Sequence, residues 1–195
     1  MGRTFADRRG RILFAALAGV PLAALALTGH SNTPKGLGGV LHQANDAVHL
    51  LAAGAWIGGL MALGLVLAAA RRLRTDEAVA WVRRAVPHFS HMGYWAVGLV
   101  VATGIANGAL LVGSIDGLVA TPYGRFLLIK IALVLAMVAL ALANRFGLSP
   151  RLAVTHSAAQ AVDPLWRNVA IEQALALGIL VIVGVLGTLV PALYH

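Results

Sequence analysis

The sequence contains no cysteine and very little charge. Without cysteine there are no disulfides, no thiolate ligands for a metal and no thiol redox chemistry. Only 11% of the 195 residues are charged, whereas an ordinary soluble domain has about 25%. The net charge is +8, but the basic residues lie in short bands between long apolar runs, which is typical of membrane proteins. We therefore expect a lipid bilayer, and not a nucleic acid, as the partner of this chain.

Five apolar runs divide the sequence. No run alternates in polarity as a membrane β-strand does, and backbone groups inside a bilayer must be satisfied internally, which favours helices. About 20 apolar residues cross a hydrocarbon core of about 30 Å. The runs predict an all-α integral membrane helical bundle, a single domain over residues 1–195 with five transmembrane helices. These are placed at approximately 12–28, 42–70, 89–114, 124–146 and 167–191.

Proline and capping residues predict where the helices begin. Pro87 is expected to open the third helix and Pro164 to precede the fifth. Thr121 followed by Pro122 is typical of a cap and a first-turn proline, here at the fourth helix. The first run follows a basic segment, as in a signal peptide. Residues 27–30 do not resemble a cleavage site, so a retained helix is predicted.

The basic residues are distributed very unevenly between the two sides of the membrane. With five helices, twelve fall on the side of the amino terminus, and only Lys35, Arg125 and Lys130 fall on the other. Short loops rich in Lys and Arg stay in the cytoplasm. The sequence therefore predicts a cytoplasmic amino terminus and a carboxyl terminus on the outside.

Polar residues form a stripe at the outer end of the second helix. His42, Asp46, His49 and Trp56 lie within an arc of about 80° at helical spacing. Ionisable groups below the membrane interface are costly, so they indicate a functional site.

A second polar stripe follows the third helix. Thr103 and Asn107 lie on one face, and Asn107 is about 10 Å deep, at a depth similar to that of His49. The two stripes are expected to face each other inside the bundle. His30 ends the first helix on the same side of the membrane.

These residues suggest a metal site built from His30, His42, His49 and Asp46. Imidazole and carboxylate ligands suit divalent copper or zinc. The alternative is that His42 and Asp46 are ordinary interface residues, and that only His49 is buried, hydrogen-bonded to Asn107.

Three methionines suggest a path from this cluster toward the cytoplasm. Met61, Met92 and Met137 lie deeper in the predicted helices, and thioethers prefer monovalent copper. The alternative is that they fill gaps in the core, as methionine commonly does.

Two charged residues fall inside predicted helices. Lys130 is expected to extend to the interface or to pair with an aspartate such as Asp46. Glu172 is expected to pair with a nearby arginine such as Arg145 or Arg167.

Several short motifs resemble those of the copper-resistance protein D family (CopD, PcoD). Individually they are brief, but their order and spacing over residues 12–195 are specific. They are the segments 28–30 (TGH), 49–59 (HLLAAGAWIGG), 103–104 (TG), 121–130 (TPYGRFLLIK) and 184–191 (GVLGTLVP).

The resemblance implies a bacterial inner-membrane protein that handles copper, with His30, His42 and His49 at positions where the family has outward-facing histidines. It also implies a partner, a small periplasmic copper-binding protein of the CopC type. Longer members of the family have additional helices before this segment, so the chain is expected to be a short form or the carboxyl-terminal part of a longer design. The oligomeric state is left open, with a homo-oligomer among the options.

Two other function classes remain open at the level of sequence. A b-type haem protein needs two opposed axial ligands, and only His49 is clearly at membrane depth. The other class is a metal-free helical scaffold for a membrane complex. An enzyme is not predicted, because no nucleophile–base pair and no phosphate-binding loop is found.

Overall fold

The structure is a computed structural model that describes residues 17, 19–24, 36–150 and 158–194. Its helices are α1 (Leu37–Leu73), α2 (Asp76–Val112), the short α3 (Ile115–Ala120), α4 (Pro122–Ala143) and α5 (Ala158–Leu186). A turn of π-helix follows α4 at Asn144–Leu148, and a 3-10 turn lies at Ala192–Tyr194. No strand occurs in the part of the chain that the structure describes.

Four of these helices are long and apolar enough to cross a membrane: Leu37–Leu73, Asp76–Val112, Pro122–Leu148 and Val162–Leu186. The predicted all-α membrane bundle is therefore confirmed. The predicted first helix at 12–28 lies largely outside the described residues, so the count of five stays a prediction. Within it, residues 19–24 are helical. Leu22 lies against α1, because a Cβ on Gly54 would be 2.8 Å from its Cδ1.

The helix starts are set by caps more than by prolines. Thr75 caps α2 by accepting a hydrogen bond from the Ala78 amide at 3.3 Å. Because α2 begins at Asp76, Pro87 lies inside it, and the prediction that Pro87 opens this helix is wrong. Membrane helices tolerate proline where neighbouring groups satisfy the freed carbonyls.

A second proline prediction is also wrong, whereas a cap prediction is confirmed. Pro164 lies inside α5, which begins at Ala158. At α4, Thr121 accepts a hydrogen bond from the Gly124 amide at 3.0 Å and Pro122 occupies the first turn.

α1 forms the centre of the bundle and packs against both α2 and α5, while α4 packs against α5. Association of membrane helices depends on close packing rather than on expulsion of water. Gly64 of α1 permits one close approach, since Gln173 lies beside it and donates a hydrogen bond to the Leu60 carbonyl at 3.1 Å. The shared core contains Trp56, Leu60, Leu63, Leu67, Val82, Val86, Met137, Leu165 and Val169.

α2 and α4 leave a crevice between them. Two cavities are lined by residues of both helices, one containing His49 and the other containing Glu172. We call them the His49 cavity and the Glu172 cavity. Each places a polar side chain from a third helix, α1 or α5, at the back of the crevice.

Candidate functional site

The His49 cavity has a volume of about 710 Å³ and lies between α2 and α4. Its polar lining includes His49, Asn107, Tyr123 and Lys130, and most of the remaining lining is aliphatic. A mostly apolar cavity with a few convergent polar groups is the common form of a binding site.

His49 is held by a chain of hydrogen bonds that determines which ring nitrogen carries the proton. Its Nδ1 lies 2.8 Å from the Thr103 hydroxyl. That hydroxyl donates its one hydrogen to the Leu99 carbonyl at 2.5 Å, which favours the tautomer in which Nδ1 donates to Thr103 and Nε2 keeps its lone pair. This is the arrangement in which a second partner prepares an imidazole to ligate a metal through its other nitrogen.

The ring of His49 rests directly against α2. A Cβ on Gly104 would be 3.5 Å from His49 Cε1, an ordinary van der Waals contact, so the imidazole packs beside the α2 backbone at this glycine. Its neighbour Thr103 is buried.

Asn45 joins the two polar stripes, and the sequence reasoning missed it. Its amide donates to Asn107 Oδ1 at 2.6 Å and to the Thr103 carbonyl at 3.1 Å. His49 bonds Thr103 instead, one turn from Asn107. The signal was available, because Asn45 precedes His49 by four residues and so lies on the same helix face.

Nearer the start of α1, His42 and Asp46 form a pair. His42 Nε2 lies 3.6 Å from Asp46 Oδ2, and the two side chains are only 10% and 15% exposed. The Asp46 carboxylate also interacts electrostatically with His49, Tyr123 and Lys130. Asp46 thus provides a negative charge that interacts with Lys130, which lines this cavity.

The candidate ligands are close, but they are not assembled around one point. Among residues 36–150 and 158–194, no group of three or more His, Cys, Asp or Glu is arranged to hold a metal ion. The structure brings His42 and Asp46 together, and His49 lies about two turns, or roughly 10 Å, beyond His42 and just under one turn beyond Asp46 along α1. His30 lies outside the described residues.

The three methionines occupy different environments. Met137 is 1% exposed in the shared core, and Met92 packs beside Gly59 of α1. Met61 is 51% exposed, so it faces away from the other two. Trp56 is buried in the same core, on the predicted stripe.

Glu172 does not pair with Arg145 or Arg167 in the described structure, so that prediction is wrong. It is 1% exposed and accepts a hydrogen bond from Asn144 at 2.6 Å. The guanidinium of Arg145 lies over the Tyr94 ring instead, 4.8 Å from its centroid. The π-turn begins at Asn144 and re-aims the side chains that follow it.

Comparison with known proteins identifies the relationship. The sequence model of the family described as copper resistance protein D matches residues 83–186, which is more than half of the chain. This chain belongs to the copper resistance protein D family. The resemblance noted in the sequence is thereby confirmed.

Three relatives illustrate the family. Copper resistance protein D of Pseudomonas syringae pv. tomato is 35% identical over 184 residues, covering 92% of this chain and 59% of the relative. Inner membrane protein YebZ of Escherichia coli K12 is 36% identical over 167 residues, covering 86% of this chain and 55% of the relative. Copper transport protein CutJ of Bacillus subtilis 168 is 36% identical over 121 residues, covering 61% of this chain and 21% of the relative.

This member of the copper resistance protein D family spans less than three fifths of the length of each of these relatives. No solved structure matches it. The part of the chain that the structure describes has four helices long and apolar enough to cross a membrane, which supports a multi-pass membrane protein, and one relative is named an inner membrane protein.

Proposed function

We propose that this chain binds copper at a His/Asp site on the periplasmic side of the inner membrane and takes part in copper transport, homeostasis or resistance. Its role is that of a binding and transfer protein, not an enzyme. The proposal is supported by the family relationship and by two relatives whose names refer to copper. The basic residues favour a cytoplasmic amino terminus, which puts His42 and His49 on the outer half.

The observation that carries the proposal is the hydrogen-bonded state of His49. Thr103 accepts from its Nδ1, so the lone pair of Nε2 is available in a residue that lines a large cavity. Copper binds imidazole nitrogen well. A ligand that is already neutral and oriented needs neither proton loss nor rotation before it binds.

His49 requires further ligands, and we assign them to the same end of the bundle. His42 or His30 supplies a second imidazole, and Asp46 supplies an oxygen or orients His42, to which it is already paired at 3.6 Å. Asp46 also offsets the positive charge of Lys130, with which it interacts.

Copper affinity of the purified protein tests the proposal. Wild type and His49→Ala are compared in detergent by competition with chelators for monovalent and for divalent copper. His49→Ala should lose most binding. His88→Ala is the matched control, because His88 is exposed and its ring bonds the Arg84 carbonyl at 2.8 Å, on a different helix.

Equal affinity in wild type and in the His42/His49 double alanine variant would refute the site. The absorption spectrum of the same sample tests the haem alternative, since a Soret band would indicate bound haem.

The partner that follows from this function is a small periplasmic copper-binding protein of the CopC type. Such a protein would deliver copper to the end of α1 where His42 and Asp46 lie. Transfer from a copper-loaded partner should occur with wild type and fail with the His42/His49 double alanine variant.

A further inference from the structure

The Glu172 cavity is a second polar chamber that the copper site does not use. It has a volume of about 320 Å³. α1 contributes Trp56, α2 contributes Ser90 and Tyr94, and the π-turn contributes Asn144 and Arg145. Under the proposed orientation this chamber lies in the cytoplasmic half of the bundle, because Arg145 belongs to the basic side.

The carboxyl group of Glu172 is held in one orientation by two amides. Asn168 donates to Asn144 Oδ1 at 2.9 Å, and Asn144 donates to Glu172 Oε1 at 2.6 Å. Oε1 is therefore an acceptor. Oε2 is buried and has no hydrogen-bond partner among the described residues, although Glu172 itself lines the chamber.

The charges around Glu172 do not neutralise it. Among the described residues no ion pair involves Glu172, and Arg145 lies over the Tyr94 ring at 4.8 Å. The groups facing the chamber from α1 are uncharged, and those from α2 are Ser90 and the phenol of Tyr94. On α5, the amide of Asn168 donates to Asn144 and the amide of Gln173 donates to the Leu60 carbonyl.

An ionised carboxylate in this position would have a high free energy. An isolated charge at membrane depth costs several kcal/mol or more. Adding a proton to Oε2 removes that cost and turns a buried acceptor without a described partner into a neutral hydroxyl.

We propose that Glu172 is a proton-binding site that exchanges its proton through the Glu172 cavity. The proton leaves Oε2 for water on the cytoplasmic side, and the remaining carboxylate keeps the hydrogen bond that Asn144 donates to Oε1 at 2.6 Å.

Infrared difference spectroscopy of the purified full-length protein tests the proton site without copper. At neutral pH, wild type should show the carbonyl band of a protonated carboxylic acid, and this band should shift in D₂O. Glu172→Gln, which preserves size and the Asn144 contact, should lose the band. Asp163→Asn is the control and should retain it, because Asp163 is exposed and paired with Arg71.

Two results would overturn the site. One is the absence of a protonated carboxyl band in wild type at neutral pH, which needs no variant to interpret. The other is a band that persists unchanged in Glu172→Gln.

If wild type binds no copper but shows the infrared band, the copper function fails and the proton site stands.

Discussion

Replacing Thr103 by valine should weaken copper binding without touching any ligand. Valine has the shape of threonine and the same branching at Cβ, so α2 keeps its packing. It removes the hydroxyl that accepts from His49 Nδ1 at 2.8 Å. The tautomer with the proton on Nδ1 then loses the hydrogen bond that favours it. In the other tautomer Nε2 carries the proton and has no lone pair for a metal.

The size of the effect follows from this contact. A donor left without an acceptor in a buried position costs about 1–3 kcal/mol. Loss of a partner that orients a metal-binding histidine typically reduces metal affinity by about 10 to 100-fold. We therefore expect Thr103→Val to bind copper about 10 to 100-fold more weakly than wild type, measured by chelator competition in detergent.

Thr103→Ser is the matched control, because serine retains the hydroxyl and loses only a methyl group. It should bind copper with nearly wild-type affinity. Wild-type affinity in Thr103→Val, in a protein where His49→Ala loses binding, would refute the tautomer argument. So would an equal loss in the serine variant, since the hydroxyl would then not be the group that matters.

The remaining predictions concern charge, packing, protons and topology. Lys130→Gln should raise copper affinity roughly tenfold in the same competition assay, because removing the repulsion between two cations would contribute about 1.4 kcal/mol. A lower affinity would show that Lys130 supports copper binding. Gly124→Ala should destabilise the bundle by about 1–3 kcal/mol in a thermal melt, because its Cβ would meet the Leu118 carbonyl, whereas Gly108→Ala meets nothing within 4 Å. Copper affinity should fall as the pH is lowered through the imidazole range, about 6.5 for a free histidine, because protons compete for the ligand nitrogens; a pH-independent affinity would exclude histidine ligands. Reporter fusions should find the amino terminus in the cytoplasm and the carboxyl terminus outside, and two termini on one side would rule out five spans.

The faces of the helices could be predicted from the sequence, but their exact partners could not. The spacing of His42, Asp46 and His49 places them on one side of α1, where the structure finds His42 beside Asp46. Periodicity cannot decide which of two polar residues on a face meets a given neighbour. Asn45 and His49 are one turn apart, and an axial shift of α1 along α2 by one turn, about 5.4 Å, would exchange their contacts.

Some helix boundaries could be predicted from the sequence and others could not. Thr121 can be recognised as a cap from the sequence because Pro122, which follows it, is a residue type common in the first turn of a helix. Pro87 was misread because Thr75, with Asp76 and Glu77 in the first turn, starts α2 much earlier. The π-turn at 144–148 has no simple sequence signal, and without it the contact between Asn144 and Glu172 could not be foreseen.

The first two helices are longer than the hydrocarbon core of a membrane, so their ends reach the lipid headgroups. α1 and α2 have 37 residues each, which corresponds to about 55 Å against a hydrocarbon core of about 30 Å. Their shared end carries five exposed arginines, Arg71, Arg72, Arg74, Arg83 and Arg84. Basic side chains at a membrane surface gain about 1 kcal/mol each from anionic headgroups. Under the proposed orientation, the negative surface potential of the inner leaflet helps to set the depth of this hairpin, and bilayers that lack acidic lipids should hold it less firmly.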